Sequence, residues 1–302
     1  MLDGFDACDI CGTNDWRLAF DGAIRNGTFG HSLDKARVGT CGECGVERLE
    51  ESLCPDETFY ETDAYRQTLK HGLSSGEYFA VADNLQRYAF DSIPISTVRN
   101  KVVAEIGAAG GSYLDQICGA TASNIAVEPC SIYHDSLISR GYNVFSYSAD
   151  AHEKFVGKVD VAVSLQVIEH VRNPRSFLSD ILPLLSADGT LLISTPNRHD
   201  ILMNLLPDLF PSFFYRAAHR WYFTAETLAE CAHLAGFSVE RTQFVHRYGM
   251  SNTLAWLRDN KPTGHVRLPG IDQLTDGFWK NYLEDTGRSD CIHMLLKPRR
   301  SS

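Results

Sequence analysis

Five short apolar runs, each ending at a polar or acidic residue, follow one another between residues 101 and 197. They are KVVAEIG, NIAVEP, YNVFSYSADA, VDVAVSLQVIEHV and GTLLISTPN, and amphipathic stretches such as SYLDQICG, SIYHDSLISRG and PRSFLSDILPLLS separate them. Strands that are apolar throughout, rather than alternating, must be covered on both faces. The spacing therefore predicts an α/β fold with a mostly parallel sheet between helices. Right-handed crossovers would bring the strand C-termini to one edge, where such sheets bind ligands.

That edge carries acids. Glu105 ends the first strand, Glu128 the second, and Asp150 follows the third. The intervening turn, EIGAAGG, places its glycines at Gly107, Gly110 and Gly111, which is not the G-x-G-x-x-G spacing of a dinucleotide loop. A pyrophosphate beside Glu105 would be repelled, whereas a ligand bearing an ammonium and a sulfonium would be attracted. S-adenosylmethionine has both charges. It also has a ribose diol for Glu128 and an adenine amino group for Asp150 to accept from.

The chain has 302 residues, enough for one large domain or a medium one with a small companion. Its net charge of −10, with no basic cluster beyond KPRR, argues against a nucleic-acid partner. Neither a long apolar run nor a basic, apolar leader is visible, so the expected location is cytoplasmic, with no membrane partner. Nothing in the sequence bears on oligomeric state.

Four of the nine cysteines form two CxxC pairs, Cys8–Cys11 and Cys41–Cys44, each followed by a glycine. Two such knuckles can supply four thiolates to one tetrahedral ion, usually structural zinc. The short strands and turns between them cannot bury a core of their own, which a metal would offset. The expected organisation is a zinc-binding module at 1–55, a helical linker or cover at 56–98, and an α/β domain at 99–302 with an insertion at about 246–288. Tyr60, Tyr65 and Tyr78 in the cover are candidates for a pocket wall or for core packing.

AEIGAAGGSYL, AVEP, SADAHE, VSLQVIEHVRNP, LLISTPN and LAGF together resemble the class I methyltransferases, over roughly residues 100–245 and the last strand. The resemblance implies a Rossmann-like sheet of seven strands. It also implies cofactor-binding roles for Glu105, Gly107, Gly111 and Glu128, with Gln166 beside them. Ala109 stands where that family usually has glycine, and a slightly tighter turn is expected there. With its N-terminal cysteines, the chain is also similar to zinc-containing sugar and surface-polysaccharide methyltransferases, a few of which are C-methyltransferases of deoxysugar pathways. Those C-methyltransferases carry a further C-terminal domain with no counterpart here.

The expectation is therefore O-methylation of a carbohydrate, sugar nucleotide or related small polar molecule. C-methylation of a keto-deoxysugar nucleotide and RNA modification are the alternatives. A proton must leave the acceptor, so a base is needed near strands four and five. His219 takes that place by resemblance, close to Tyr222 in the aromatic segment that Pro207 and Pro211 interrupt, with Tyr215 a weaker candidate. His170, in VIEHV, is expected to shape the pocket. Arg247 and Arg258 are candidate partners for a phosphate.

Overall fold

A computed structural model describes residues 2–56, 58–69 and 75–299. Three strands open the chain: β1 (Trp16–Arg25), β2 (Ser32–Cys41) and β3 (Glu47–Leu49). The central sheet is built from β4 (Val102–Ile106), β5 (Ser123–Val127), β6 (Asn143–Phe145), β7 (Val159–Leu165) and β8 (Leu185–Pro196). A two-residue strand, β9 (Trp221–Tyr222), precedes β10 (Phe237–Val245) and β11 (Cys291–Pro298).

The seven-stranded sheet has the order β10-β11-β8-β7-β4-β5-β6. β4 pairs in parallel with both β5 and β7, β5 with β6, and β7 with β8, while β11 runs antiparallel to both of its neighbours. This is the expected Rossmann-like, mostly parallel sheet. Its interior supports that arrangement: Val103, Ala104, Ile125, Ala126, Val161, Ala162, Leu191 and Ile193 are all buried, on both faces. The strand order reverses beside β4. At such a switch point the connections leaving neighbouring strands run to opposite sides, which is where a crevice opens.

Side chains cap helix starts. Asn173 accepts from Ser176 N–H at 2.8 Å to cap Pro174–Ile181, and Thr224 accepts from Thr227 N–H at 3.3 Å to cap Ala225–Leu234. The cover segment contains the helices Thr58–Glu61, Ala64–Leu69 and Ser75–Ser92. The helical reading at 57 and 70–74 lies outside the described residues. The segment between β10 and β11 folds into two helices, Met250–Asp259 and Gln273–Asp285. No helix among the described residues is long and apolar enough to cross a membrane.

The N-terminal strands do not stand apart. The second sheet has the order β1-β2-β3-β9, so Trp221 and Tyr222 extend a sheet begun near the N-terminus, paired with Arg48 and Glu47 about 170 residues earlier. Arg48 is 1% exposed and lies near the rings of Trp16 and Trp221, 5.8 and 5.5 Å from their centroids. Its charge is met by Asp9 and Glu51, and Glu51 also takes Arg220 at 2.7 Å. A hydrogen-bonded cluster of this kind is costly to break from one side.

Candidate functional site

At the crevice, the turn after β4 is shaped by positive φ angles: Gly107 at 81°, Ala109 at 46° and Gly111 at 82°. A Cβ at Gly107 would come within 2.4 Å of the Val167 side chain, and one at Gly110 within 2.3 Å of the Tyr78 ring. The turn is therefore packed closely from two directions, and Gly111 starts the helix Ser112–Ile117. Ala109 holds the left-handed conformation that makes glycine usual there, so the cost of the departure is backbone strain.

Glu105 is 4% exposed, and its Oε2 has no partner among the described residues. Burial, followed by the nearby Glu128 carboxylate, raises its pKa well above the usual carboxylate value. Glu128 is anchored instead. Its Oε2 accepts from Ala109 N–H at 2.6 Å and its Oε1 from Cys130 N–H at 2.8 Å, tying the ends of β4 and β5 together.

Gln166, just past β7, also adopts a positive φ, 58°. Its side-chain amide donates to Ser194 Oγ at 3.3 Å and reaches Cys291 Sγ at 3.3 Å. Non-glycine residues in this region are uncommon and cluster at functional sites.

Most of these residues border one cavity of about 660 Å³, whose wall includes Glu105, Gly107, Ala109, Glu128, Gln166 and His170 but not Gly111. Tyr60, Tyr65 and Tyr78 from the cover line it too, as do Arg247 and His293. That volume suits a ligand of cofactor size or larger.

Asp150 is placed differently. It is exposed, and its Oδ2 accepts from Tyr147 N–H at 2.9 Å within a helix-capping arrangement. Tyr147, rather than Asp150, belongs to the cavity wall.

The candidate bases separate in the same way. His170 borders the cavity. Its Nδ1 bonds to Ala218 O at 2.8 Å; because a carbonyl only accepts, Nδ1 carries the proton and Nε2 keeps its lone pair. Burial pushes its pKa down to about 4, so it is neutral at pH 7. His219 lies behind it, with the two rings perpendicular and 4.7 Å apart. Burial, then the neighbouring His170 ring and the Arg216 charge, holds His219 well below the ordinary histidine value.

Glu169 joins this group. The ligating atoms of Glu169, His170 and His219 all lie within 4.8 Å of one another. Its Oε2 accepts from Thr195 Oγ1 at 3.0 Å, and burial raises its pKa to about 7. Tyr222, 2% exposed, is committed to the backbone: its hydroxyl accepts from Arg216 N–H at 2.9 Å and contacts Arg216 O and His219 O. Tyr215 donates to Glu47 Oε2 at 2.7 Å.

Neither arginine expected to take a phosphate is free. Arg247 pairs with Asp290 at 2.6 Å and Arg258 with Asp259 at 2.6 Å. His293, in contrast, has no motif to announce it. It enters the wall from β11 and bonds to Ser92 Oγ at 2.7 Å. The only available signal was a polar residue within the buried run CIHMLL.

Away from the cavity, the four paired cysteines converge. All four Sγ atoms lie within 4.8 Å of one another, with Cys8 to Cys44 at 3.8 Å and Cys11 to Cys41 at 3.5 Å. A tetrahedral zinc with Zn–S bonds of about 2.3 Å sets its sulfurs about 3.8 Å apart, whereas a disulfide needs about 2.05 Å. Gly12 and Gly45, at φ 82° and 76°, donate their N–H groups to Cys8 O and Cys41 O and close the two knuckles. The donor set fits a closed, four-sulfur zinc site.

A family profile, the methyltransferase domain, matches residues 77–242. A ubiquinone biosynthesis O-methyltransferase of Erwinia tasmaniensis is 26% identical over 106 residues, 33% of this chain and 44% of that protein. A probable S-adenosylmethionine-dependent methyltransferase of Mycolicibacterium smegmatis is 37% identical over 84 residues, 28% of this chain and 30% of that protein. Each match spans less than half of the relative's own length. A SAM-dependent methyltransferase structure from Archaeoglobus fulgidus covers 73% of this chain and 96% of its own, at a TM-score of 0.50 and 16% identity. That likeness is one of fold.

Proposed function

The chain belongs to the methyltransferase-domain family, and from that premise we propose that it is an S-adenosylmethionine-dependent methyltransferase. Its acceptor is a small polar molecule, a carbohydrate or sugar nucleotide in kind, methylated at oxygen. The observation that carries this reading is the buried, unpaired Oε2 of Glu105 at the glycine turn. A carboxyl buried in such a place ionises readily only beside a cation, and the cofactor's ammonium supplies one. Glu128, one strand away, is the group we assign to the ribose hydroxyls.

When bound, the cofactor supplies a methyl group activated by its sulfonium. The protein's own work is to align the acceptor and take its proton. His170, which borders the cavity and has its Nε2 4.0 Å from Glu169 Oε1, is the group we assign to the proton, and the His219 ring stands against it. The carbohydrate preference rests on the resemblance of the sequence to sugar methyltransferases and on the tyrosines, histidines and arginine around the cavity.

Cys8, Cys11, Cys41 and Cys44 would hold a structural zinc, since four thiolates leave no open position for substrate. We read 1–55 as the zinc module, 56–98 as the cover and 99–302 as the methyltransferase domain, in a cytosolic protein. Calorimetric titration with S-adenosylmethionine tests the central claim. Saturable binding that falls in Glu128→Ala is expected, and no measurable binding to the wild-type chain rules the reading out.

A further inference from the structure

Arginines inside this protein come with carboxylates. Arg48 has Asp9 and Glu51, Arg220 has Glu51, Arg198 has Glu47 and Arg247 has Asp290. Arg25 and Arg216 depart from this pattern. Neither makes an ion pair among the described residues, and Arg25 Nε and Nη2 are buried with no acceptor. The Arg25 guanidinium sits 4.0 Å from the centroid of Phe213, a contact that favours a cation without neutralising it.

The two residues are neighbours. Arg25, the last residue of β1, forms a parallel backbone bridge with Arg216: Arg25 N–H donates to Tyr215 O at 3.2 Å, and Ala217 N–H donates to Arg25 O at 2.9 Å. Like charges on paired positions are destabilising unless something offsets them. The Arg216 charge adds to the cost of burying Arg25. It also reaches Glu169, His170 and His219, although Glu169 makes no ion pair with it. Two residues further on, Ala218 O accepts from His170 and from Tyr60, both of which line the cavity.

We propose that Arg25 and Arg216 form an anion subsite beside the His170–His219 pair, which seats a phosphoryl or carboxylate group of the acceptor. The methyltransferase's substrate is then an anion. A guanidinium fork matches the geometry of either group, and the group would supply the missing countercharge; neither arginine borders the cavity itself, so the subsite would adjoin it. The N-terminal sheet also gains a part in recognition, because β1 delivers one of the two arginines. This inference rests on the cavity being the methyl-transfer site.

The test uses the full chain, with and without S-adenosylmethionine, titrated with inorganic pyrophosphate and separately with malonate. Sodium chloride holds ionic strength constant, and binding is read by thermal shift and calorimetry. A saturable rise in Tm with one probe is expected. Arg25→Gln and Arg216→Gln should each weaken it at least about tenfold, the loss of a charge-assisted hydrogen bond. Their S-adenosylmethionine affinity should remain that of the wild type, which also reports correct folding. Arg25→Lys and Arg216→Lys keep the charge but lose the fork and should fall between; they replace any glutamine variant that does not fold.

Response to pyrophosphate alone identifies a phosphoryl group, and response to malonate alone a carboxylate. No saturable response beyond the chloride control overturns the subsite, as does a response undiminished in the variants. A wild-type chain that binds no S-adenosylmethionine would overturn the methyltransferase reading, while the anion titration would still decide the subsite.

Discussion

The N–H of Ala109 donates to Glu128 Oε2 at 2.6 Å, so a residue in left-handed backbone, φ 46°, is held by the acid that ends the neighbouring strand. Glu128 thereby shapes the turn after β4 as well as bordering the cavity. Glu128→Ala should lower S-adenosylmethionine affinity and cost about 2 kcal/mol of stability, the worth of hydrogen bonds to a charged acceptor, as read by urea denaturation. Unchanged stability would mean that the turn holds itself.

Ala109→Gly removes the strain of a Cβ at positive φ, worth about 1–2 kcal/mol, but frees the unfolded chain by about 0.4–1 kcal/mol. A small net gain in stability is expected, with cofactor binding retained. Ala109→Val should be clearly destabilising, because a β-branched side chain tolerates this region least. Equal Tm values for the two variants would contradict the assigned backbone.

Glu105 predicts a proton linkage. Its pKa is raised in the free protein, chiefly by burial, so the carboxyl holds its proton above the usual carboxylate range. A cationic ligand favours the ionised form, and binding must therefore release a proton. Affinity for S-adenosylmethionine should rise with pH until the free carboxyl is ionised, then level off. Calorimetry in two buffers of different ionisation enthalpy measures the release, and Glu105→Gln should abolish it.

His170→Ala should reduce kcat by roughly 10²-fold or more, the usual share of a general base, with cofactor affinity largely kept. His219→Ala acts through the ring it supports and should also slow turnover more than it weakens cofactor binding. Because His170 has its pKa pushed down to about 4, it stays unprotonated across the neutral range. Its contribution to the rate should fall only as pH approaches that value. A rate loss centred near pH 6.5 that vanishes in His170→Ala would refute the lowered pKa.

Elemental analysis should find one zinc per chain. Cys41→Ser, or strong chelation, should lower Tm and also impair activity, because β3, which follows the second knuckle, pairs directly with β9 beside His219. Full activity in a zinc-free chain would mean that the two regions work independently.

Much of the fold was legible from local pattern. The alternation from residue 101 onward specified the parallel strands and the helices between them. The CxxC-Gly knuckles and the turn at Gly107 and Gly111 could also be read, because each is a backbone demand met within a few residues. Glu105 and Glu128 were legible for the same reason: a strand end fixes where its last side chain goes.

What the sequence determined by itself, then, was the sheet, the strand-end edge where the cavity lies and the residues bordering the turn. Tertiary structure alone decided the rest. It set His170 at the cavity wall and His219 behind it, and turned Asp150 toward the Tyr147 N–H. It also brought His293 into the wall and laid Arg25 against Arg216 across about 190 residues of chain. The physical reason is that periodicity encodes which face of an element is buried. Which remote side chains meet there depends on how β9 pairs with β3 and β11 inserts between β8 and β10, and those contacts are set by packing of the whole chain.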